Sequence, residues 1–533
     1  MLYYSLMKIF KIISFLVFVL LVSNTTVLLR DYIKAPRNIR NFLFKEGDIL
    51  EGLSTGPSGI TVDYNKQISI GSPLVFGGVH SPNLEHQDAW NKLQEVGVTL
   101  IRRDFFIEYE VPRNITLDDY KNNVNDVQNP EKWKLNSKDW TNVSITNQIY
   151  SNAKKSGMKV MGILSYAPTW LTYSGTNHGV PKDWEVYEDI VKKSYEIHRD
   201  QLDFVEIWNE PTYPSFLDLT NSGMTREEAY RNIFFHAVKA IREVDLSKND
   251  GKRISIGGPA GHDPTSIEVL ERILQEDYLK NNLDFVSYHN YDHLPEPSWN
   301  VYRDTLKKYQ KDNIPLFLTE WNSKGKNSLE IAQRNTNLAI PYTGIKFISF
   351  IQMGLQATTY YSMQPLNRTN SQYDDNTMGF YLWKNGKAVL LPQAKTFRLL
   401  SKSLALGKGE SRIYESTGST PNTLLPFLTD ELSSVGFEST DGIKGMAVVN
   451  DQVQDKYVAV TLNGINPGKF SKVKIDMYVA SSDYDGGQVI SSEIYPTKNS
   501  EVKLELLLPS QSVIGLLLSP DTPLQNIIRT LIP

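Results

Sequence analysis

From Pro73 onward the chain alternates short apolar runs with amphipathic stretches, a rhythm that predicts repeated strand–helix units. Eight strands are predicted: Leu74–His80, Val98–Phe105, Lys159–Ser165, the run opening Phe204–Pro211, Ile254–Gly258, Phe285–Tyr291, Pro315–Trp321 and Ala357–Met363. Helical spacing fills the intervals. Trp90, Leu93 and Val96 share one face of the first helix, and a second near Ile145–Lys155 ends at Gly157, a C-cap residue. Trp184–His198 is a third. Thr225 and Glu228 form a capping box that opens a fourth, with Ala229, Ile233, Ala237 and Ile241 on its buried stripe. Further helices are read over Ser266–Gln275, Val301–Tyr309, Ile340–Met353 and Pro392–Ser403. The fold class expected is α/β, a (β/α)8 TIM barrel over residues 73–406. A doubly wound open sheet is the rival, but the turn after the first strand, GGVHSP, is not the Gly-rich phosphate turn that fold favours.

After Gly407–Gly409 the texture changes to short alternating strands: Thr423–Phe427, Leu432–Glu438, Met446–Val449, Tyr457–Leu462, Val473–Val479, Val502–Leu507 and Val513–Leu517. These predict an all-β sandwich domain over 407–533. Residues 31–72 read as a linker in which Ile60–Tyr64 and Gln67–Ile70 are short strands able to pair with that domain. At the N-terminus an apolar run, Ile9–Val22, is flanked by Lys8 and Lys11. Counted through Leu29 it reaches about 20 residues, enough to cross a bilayer. An N-terminal hydrophobic helix within 1–30 is therefore expected, as a membrane anchor in preference to a cleaved signal, with the body outside the cytoplasm.

Composition narrows the chemistry. With no cysteine, disulfides, thiolate metal sites and cysteine nucleophiles are excluded. A net charge of −4 with scattered basic residues gives no nucleic-acid surface. Plentiful aromatics suit sugar stacking and large α/β cores equally well.

Two acidic residues stand at strand ends. The run Phe204–Trp208 halts at Asn209-Glu210-Pro211, where proline lacks an N–H and keeps Glu210 out of helical geometry. The seventh strand ends in Thr319-Glu320-Trp321-Asn322. In a barrel both carboxylates face one mouth, the end where active sites lie. Two carboxyl groups flanking a glycosidic bond are what retaining hydrolysis needs. Solvated loop carboxylates are the plainer alternative, and the paired strand-end setting disfavours it.

Trp208-Asn209-Glu210-Pro211 on a fourth strand, with Thr319-Glu320-Trp321 on a seventh, resembles glycoside hydrolase clan A and within it family 39. That family includes β-xylosidases, α-L-iduronidases and endoglycosidases of bacterial exopolysaccharides. The resemblance runs over roughly Gly77–Ser403. It implies Glu210 as general acid/base, Glu320 as nucleophile and Asn209 on the sugar 2-hydroxyl. Arg102 or Arg103 would orient the nucleophile, and alternation sends only one of them inward. His289 and Tyr291 alternate to one face of the sixth strand, and the resemblance puts the tyrosine on the nucleophile. His80 is a candidate for a sugar hydroxyl, Trp170 and Trp383 for stacking platforms; a structural histidine and rim packing are the alternatives. His289 and His293 have no apparent third ligand, so neither a metal nor a cofactor is expected. Sequons at Asn114, Asn142 and Asn367 are short enough to arise by chance. The expected function is retaining hydrolysis of an extracellular polysaccharide or glycoconjugate. The partners are then a carbohydrate and, through the N-terminal segment, a membrane. An inactive carbohydrate-binding or cell-envelope protein and a transglycosylase are the alternatives.

Overall fold

In the computed structural model, which describes residues 59–520 apart from 85, 134–142, 262–264, 292–294, 323–335, 365–378, 419–431 and 467–471, the chain enters through strand β1 (Ile60–Gly71). A closed barrel of eight parallel strands follows: β2 (Gly77–Val79), β3 (Leu100–Phe106), β4 (Lys159–Ser165), β5 (Phe204–Ile207), β6 (Ser255–Gly261), β7 (Phe285–His289), β8 (Leu316–Trp321) and β9 (Ala357–Tyr360). β2 pairs with β9 to complete the ring. The first strand is shorter than expected. Pro73 fixes a helical φ and the Ser72 hydroxyl accepts the Leu74 N–H at 3.2 Å, so Pro73–Phe76 starts as a 3-10 turn. Gly77 then lets β2 approach β9, since a Cβ there would lie 2.5 Å from the Thr358 carbonyl oxygen.

The barrel interior is layered. Its floor is apolar, built from Leu100, Met161, Phe285, Phe317 and Ala357, with Phe285 and Phe317 stacked at 4.4 Å. Polar residues occupy the inner face only above that floor, so the chemistry sits toward the C-terminal ends of the strands. Outside, helices including Trp184–His198, Arg226–Lys248 and Ala339–Gln352 cover the strands with apolar faces. The Thr225–Glu228 capping box opens Arg226–Lys248.

A hairpin, β10 (Tyr381–Lys384) and β11 (Lys387–Leu390), precedes the last barrel helix. The C-terminal strands are β12 (Ser411–Thr417), β13 (Ser433–Ser439), β14 (Lys444–Asn450), β15 (Lys456–Asn463), β16 (Lys472–Ala480), β17 (Asp485–Pro496), β18 (Glu501–Leu508) and β19 (Ser512–Pro520). They join β1 in one nine-stranded sheet, order β17-β16-β19-β14-β13-β12-β1-β15-β18. The expected sandwich of two sheets is corrected to a single sheet folded over on itself. Ile475 and Met477 of β16 share one core with Leu504 and Leu506 of β18, from opposite ends of the strand order. β1 makes the corner: it pairs with β15 over Ile60–Asp63 and with β12 along its length, and register shifts between Asp63 and Ser69 bend it. The two short strands expected there are this one strand.

β12 and β17 were not anticipated; β17 (DGGQVISSEIYP) is largely exposed and lacks clean alternation. The strand expected over Thr423–Phe427 and the N-terminal hydrophobic helix both lie outside the described residues. Among the described residues no helix is long and apolar enough to cross a membrane.

Candidate active site

β3 carries Arg102 into the barrel two residues above the floor residue Leu100. The guanidinium ties together side chains from two other strands. Its Nε and Nη2 donate to Glu206 Oε2 at 2.7 and 2.5 Å, Nη1 to Glu320 Oε1 at 2.8 Å, and Nη2 to Asn209 Oδ1 at 2.9 Å. Burial disfavours its charge, but Glu206, Glu320 and Asp104 outweigh that and hold the guanidinium above its ordinary pKa. Arg103 is the member of the pair that does not reach the carboxylates. It lies on the opposite face of β3, where Nη1 donates to the Ser81 carbonyl at 3.3 Å, and burial lowers its pKa.

Glu320 reaches the same guanidinium because β8 is bulged. The register with β7 runs Tyr288↔Leu318 and then His289↔Glu320, so β8 holds one extra residue. Plain alternation from inward-facing Phe317 would turn Glu320 out of the barrel; the extra residue turns it in. Its second oxygen accepts the Tyr291 hydroxyl at 2.6 Å. Burial first, then the Glu320 charge, push that phenol well above its usual pKa.

Glu210 comes from the loop that leaves β5. Trp208 and Glu210 take left-handed φ values of 67° and 45°, conformations that cost roughly 1–3 kcal/mol each outside glycine. The buried indole of Trp208 donates to the Phe216 carbonyl at 2.7 Å and clamps this turn. Glu210 Oε1 lies 2.8 Å from His289 Nδ1, which is itself 3.6 Å from Glu320 Oε2. Ligating atoms of Glu210, His289 and Glu320 all fall within 4.8 Å of one another. A cation would accept that spacing too, but Arg102 already brings positive charge to Glu320. The Glu210 and Glu320 side chains keep 13% and 11% exposure, against 1% and 0% for Arg102 and Glu206. Only the first two are open to the mouth.

The remaining candidates divide. His80 follows β2 at a φ of 55°, with its ring edge-on to Tyr361 at 5.3 Å; Tyr361 in turn is 6.3 Å from Tyr291, so His80 borders the site. Trp170 is half-buried: its ring stacks on Tyr120 at 5.3 Å and its N–H reaches the Pro112 carbonyl at 3.1 Å. Trp383 is 39% exposed on β10, against His86 at 4.3 Å. His293 lies outside the described residues.

Two acids were missed from sequence. Glu206 is wholly buried beneath Arg102; its signal was a carboxylate in the middle of an apolar strand, which cannot be buried without a cation. Asp104, two residues past Arg102 on β3, accepts the Ser165 hydroxyl at 3.0 Å, and burial raises its pKa against the opposing pull of Arg102. Tyr166 lies between Asp104 and Asn209, its phenol pushed far up by burial and by the Asp104 charge.

The structure is an eight-stranded parallel barrel with two carboxyl groups side by side at the C-terminal mouth, and its family match makes it a glycosidase. The chain belongs to glycosyl hydrolases family 39, which it matches over residues 168–479. No curated protein matches it. Among solved structures it is similar to a glucosidase from Croceicoccus marinus, with a TM-score of 0.60 and 13% identity, covering 88% of this chain and 100% of that one. The GH39 enzyme from Xanthomonas axonopodis pv. citri gives 0.59 at 14% identity, covering 89% and 100%. A GH39 β-xylosidase from Caulobacter crescentus gives 0.56 at 14% identity, covering 86% and 99%. At such identities these likenesses concern the fold.

Proposed function

We propose that the chain is a retaining glycosidase of an extracellular polysaccharide or glycoconjugate, with Glu320 as nucleophile and Glu210 as general acid/base. One observation carries the reading: carboxylate oxygens of the two residues lie within 4.8 Å. Retaining enzymes hold the pair about 5–5.5 Å apart, whereas inverting enzymes leave roughly 6.5–9.5 Å for a water. In the first step Glu320 attacks the anomeric carbon as the glycosidic C–O bond breaks, and the leaving oxygen takes the Glu210 proton. Water then attacks the glycosyl ester, gives a proton to Glu210 and releases the Glu320 carboxylate. Asn209, its amide oxygen held by Arg102 and its NH2 group beside the Tyr166 phenol, turns that NH2 group to the sugar 2-hydroxyl, a contact that strengthens toward the transition state. His80 and Asp104 are further sugar contacts at the same mouth. The apolar run Ile9–Val22 supports export with membrane anchoring, or secretion, which matches an extracellular substrate.

Names among the structural neighbours make aryl glucosides of both anomers and aryl β-xylosides the first probes. Glu320→Gly should lower turnover by at least about a thousandfold. Azide should restore it and yield a glycosyl azide of inverted anomeric configuration. Ordinary turnover by the variant would refute the assignment.

A further inference from the structure

Glu206 is a charge that the two-carboxylate reaction leaves unused. Its side chain is fully buried, yet it takes two of the four N–H bonds that Arg102 makes here, while Glu320 takes one. One cation thus stands between two carboxylates. We infer that Glu206 is a positioning residue that cancels the charge of Arg102, so that the guanidinium aims Glu320 and Asn209 without quenching the nucleophile. The inference rests on reading Glu320 as that nucleophile.

The physical case is one of differential stabilisation. An uncompensated guanidinium beside Glu320 stabilises the free carboxylate most, and that stabilisation is lost as the carboxylate spends its charge on the anomeric carbon. It also places a net positive charge beside a transition state of oxocarbenium character. With Glu206 ionised, Arg102 and Glu206 are together neutral before, during and after ester formation, and only the directional N–H bonds remain. Burial supports the arrangement, because both partners are closed to solvent and little screens them.

Among the described residues, Arg102 is also faced by Asp104, two residues on along β3, whose carboxyl accepts the Ser165 hydroxyl and which is present in parent and variant alike. Glu320 is faced by Arg102 from β3, Glu210 from the loop after β5, His289 and Tyr291 from β7 and its loop, and Tyr166 after β4. Glu206 is faced by Arg102 and by Tyr230, whose hydroxyl donates to the Ile207 carbonyl at 2.8 Å. Glu206 Oε1 has no hydrogen-bond partner among the described residues. Glu206→Gln can therefore keep an oxygen on Arg102 and point its NH2 where Oε1 now lies. It removes the charge and spares the shape.

The test uses the full chain with 13C-labelled glutamate carboxyls, titrated by NMR and with the Glu320 signal assigned from Glu320→Gln. In Glu206→Gln the Glu320 titration midpoint should fall by about one pH unit, a tenfold change in proton affinity. Glu206→Asp, which keeps the charge, should bring it back toward the parent. A midpoint that stays or rises in Glu206→Gln overturns the proposal. In the parent at pH 7 the Glu206 signal should be that of an ionised carboxylate. A protonated Glu206 there overturns the proposal even if the variant does not fold. With 4-nitrophenyl β-D-xylopyranoside the acidic limb of kcat/KM should move with the midpoint, whereas a purely structural role would lower kcat and leave the limb in place. Failure of the parent to hydrolyse any aryl glycoside would count against the glycosidase mechanism, while the NMR titration reads the charge arrangement without substrate.

Discussion

Phe317 and Trp321 lie four residues apart on β8, yet they face opposite sides of the barrel wall. Phe317 stacks on Phe285 in the floor, while Trp321 packs outward against Phe347 and Phe350 of the covering helix. A regular strand would put both on one face. The extra residue between them is what delivers Glu320 to the mouth, and the registers with both β7 and β9 skip there.

The outward tryptophan locks this bulge. Its indole N–H donates to Thr358 Oγ1 at 3.1 Å, and that hydroxyl donates on to the Val75 carbonyl at 2.6 Å. Thr358→Val keeps the volume and leaves a buried N–H and a buried carbonyl each short of a partner. Denaturant melts should show a loss of about 1–3 kcal/mol. Because small displacements of reacting groups are costly, kcat should fall about tenfold or more. A variant with parental kcat would mean that the bulge holds without this lock.

Tyr291 is a donor to Glu320 that keeps its proton. Burial and the adjacent carboxylate hold its phenol far above the ordinary value, so it stays a neutral O–H donor through the working pH range. Tyr291→Phe removes a hydrogen bond to a charged acceptor, worth about 1.5–3 kcal/mol. Rates with an activated aryl glycoside should fall by about tenfold to a hundredfold, and the alkaline limb of kcat/KM should remain. Disappearance of that limb in Tyr291→Phe would assign it to the phenol and contradict the structure.

What the sequence revealed of this site follows from which forces are local. Pro211 and the apolar run before it marked the end of a strand, and Thr319-Glu320-Trp321 marked another, because chain stiffness and hydrophobic burial act within a few residues. Alternation limited the inward arginine to one of two but could not choose between Arg102 and Arg103 without the phase of β3, and that phase is set by floor packing around Leu100. The β8 bulge is written in registers with two neighbouring strands, which no single segment encodes. The same holds for the folded-over sheet: its corner depends on β1 pairing with β12 and β15, hundreds of residues away in the chain. Glu206 was readable in principle. An acid amid Phe204, Val205 and Ile207 demands a buried cation, and Arg102 was already in hand.

Asp203, just before β5, makes a stability switch at the N-terminal end of the strands, opposite the mouth that holds this chemistry. Its carboxylate accepts Lys154 Nζ at 2.7 Å, the Val160 N–H at 2.9 Å and Lys159 Nζ at 3.0 Å, which pins the start of β4 to that of β5. Burial alone would raise its pKa, but these three donors outweigh it and the folded-state value is lowered. A carboxyl with a depressed folded pKa contributes its stability in full above the unfolded value, near 3.9, and loses it as pH falls through the folded value. Asp203→Asn should therefore lower stability by about 1–2 kcal/mol at pH 7, where the parent carboxylate is ionised. The gap between parent and variant should narrow as pH drops below about 4, because the parent then loses the same interactions by protonation. Thermal melts of both proteins between about pH 7 and pH 3 read this directly. A gap that stays constant across that range would show that the ionised state of Asp203 does not stabilise the fold.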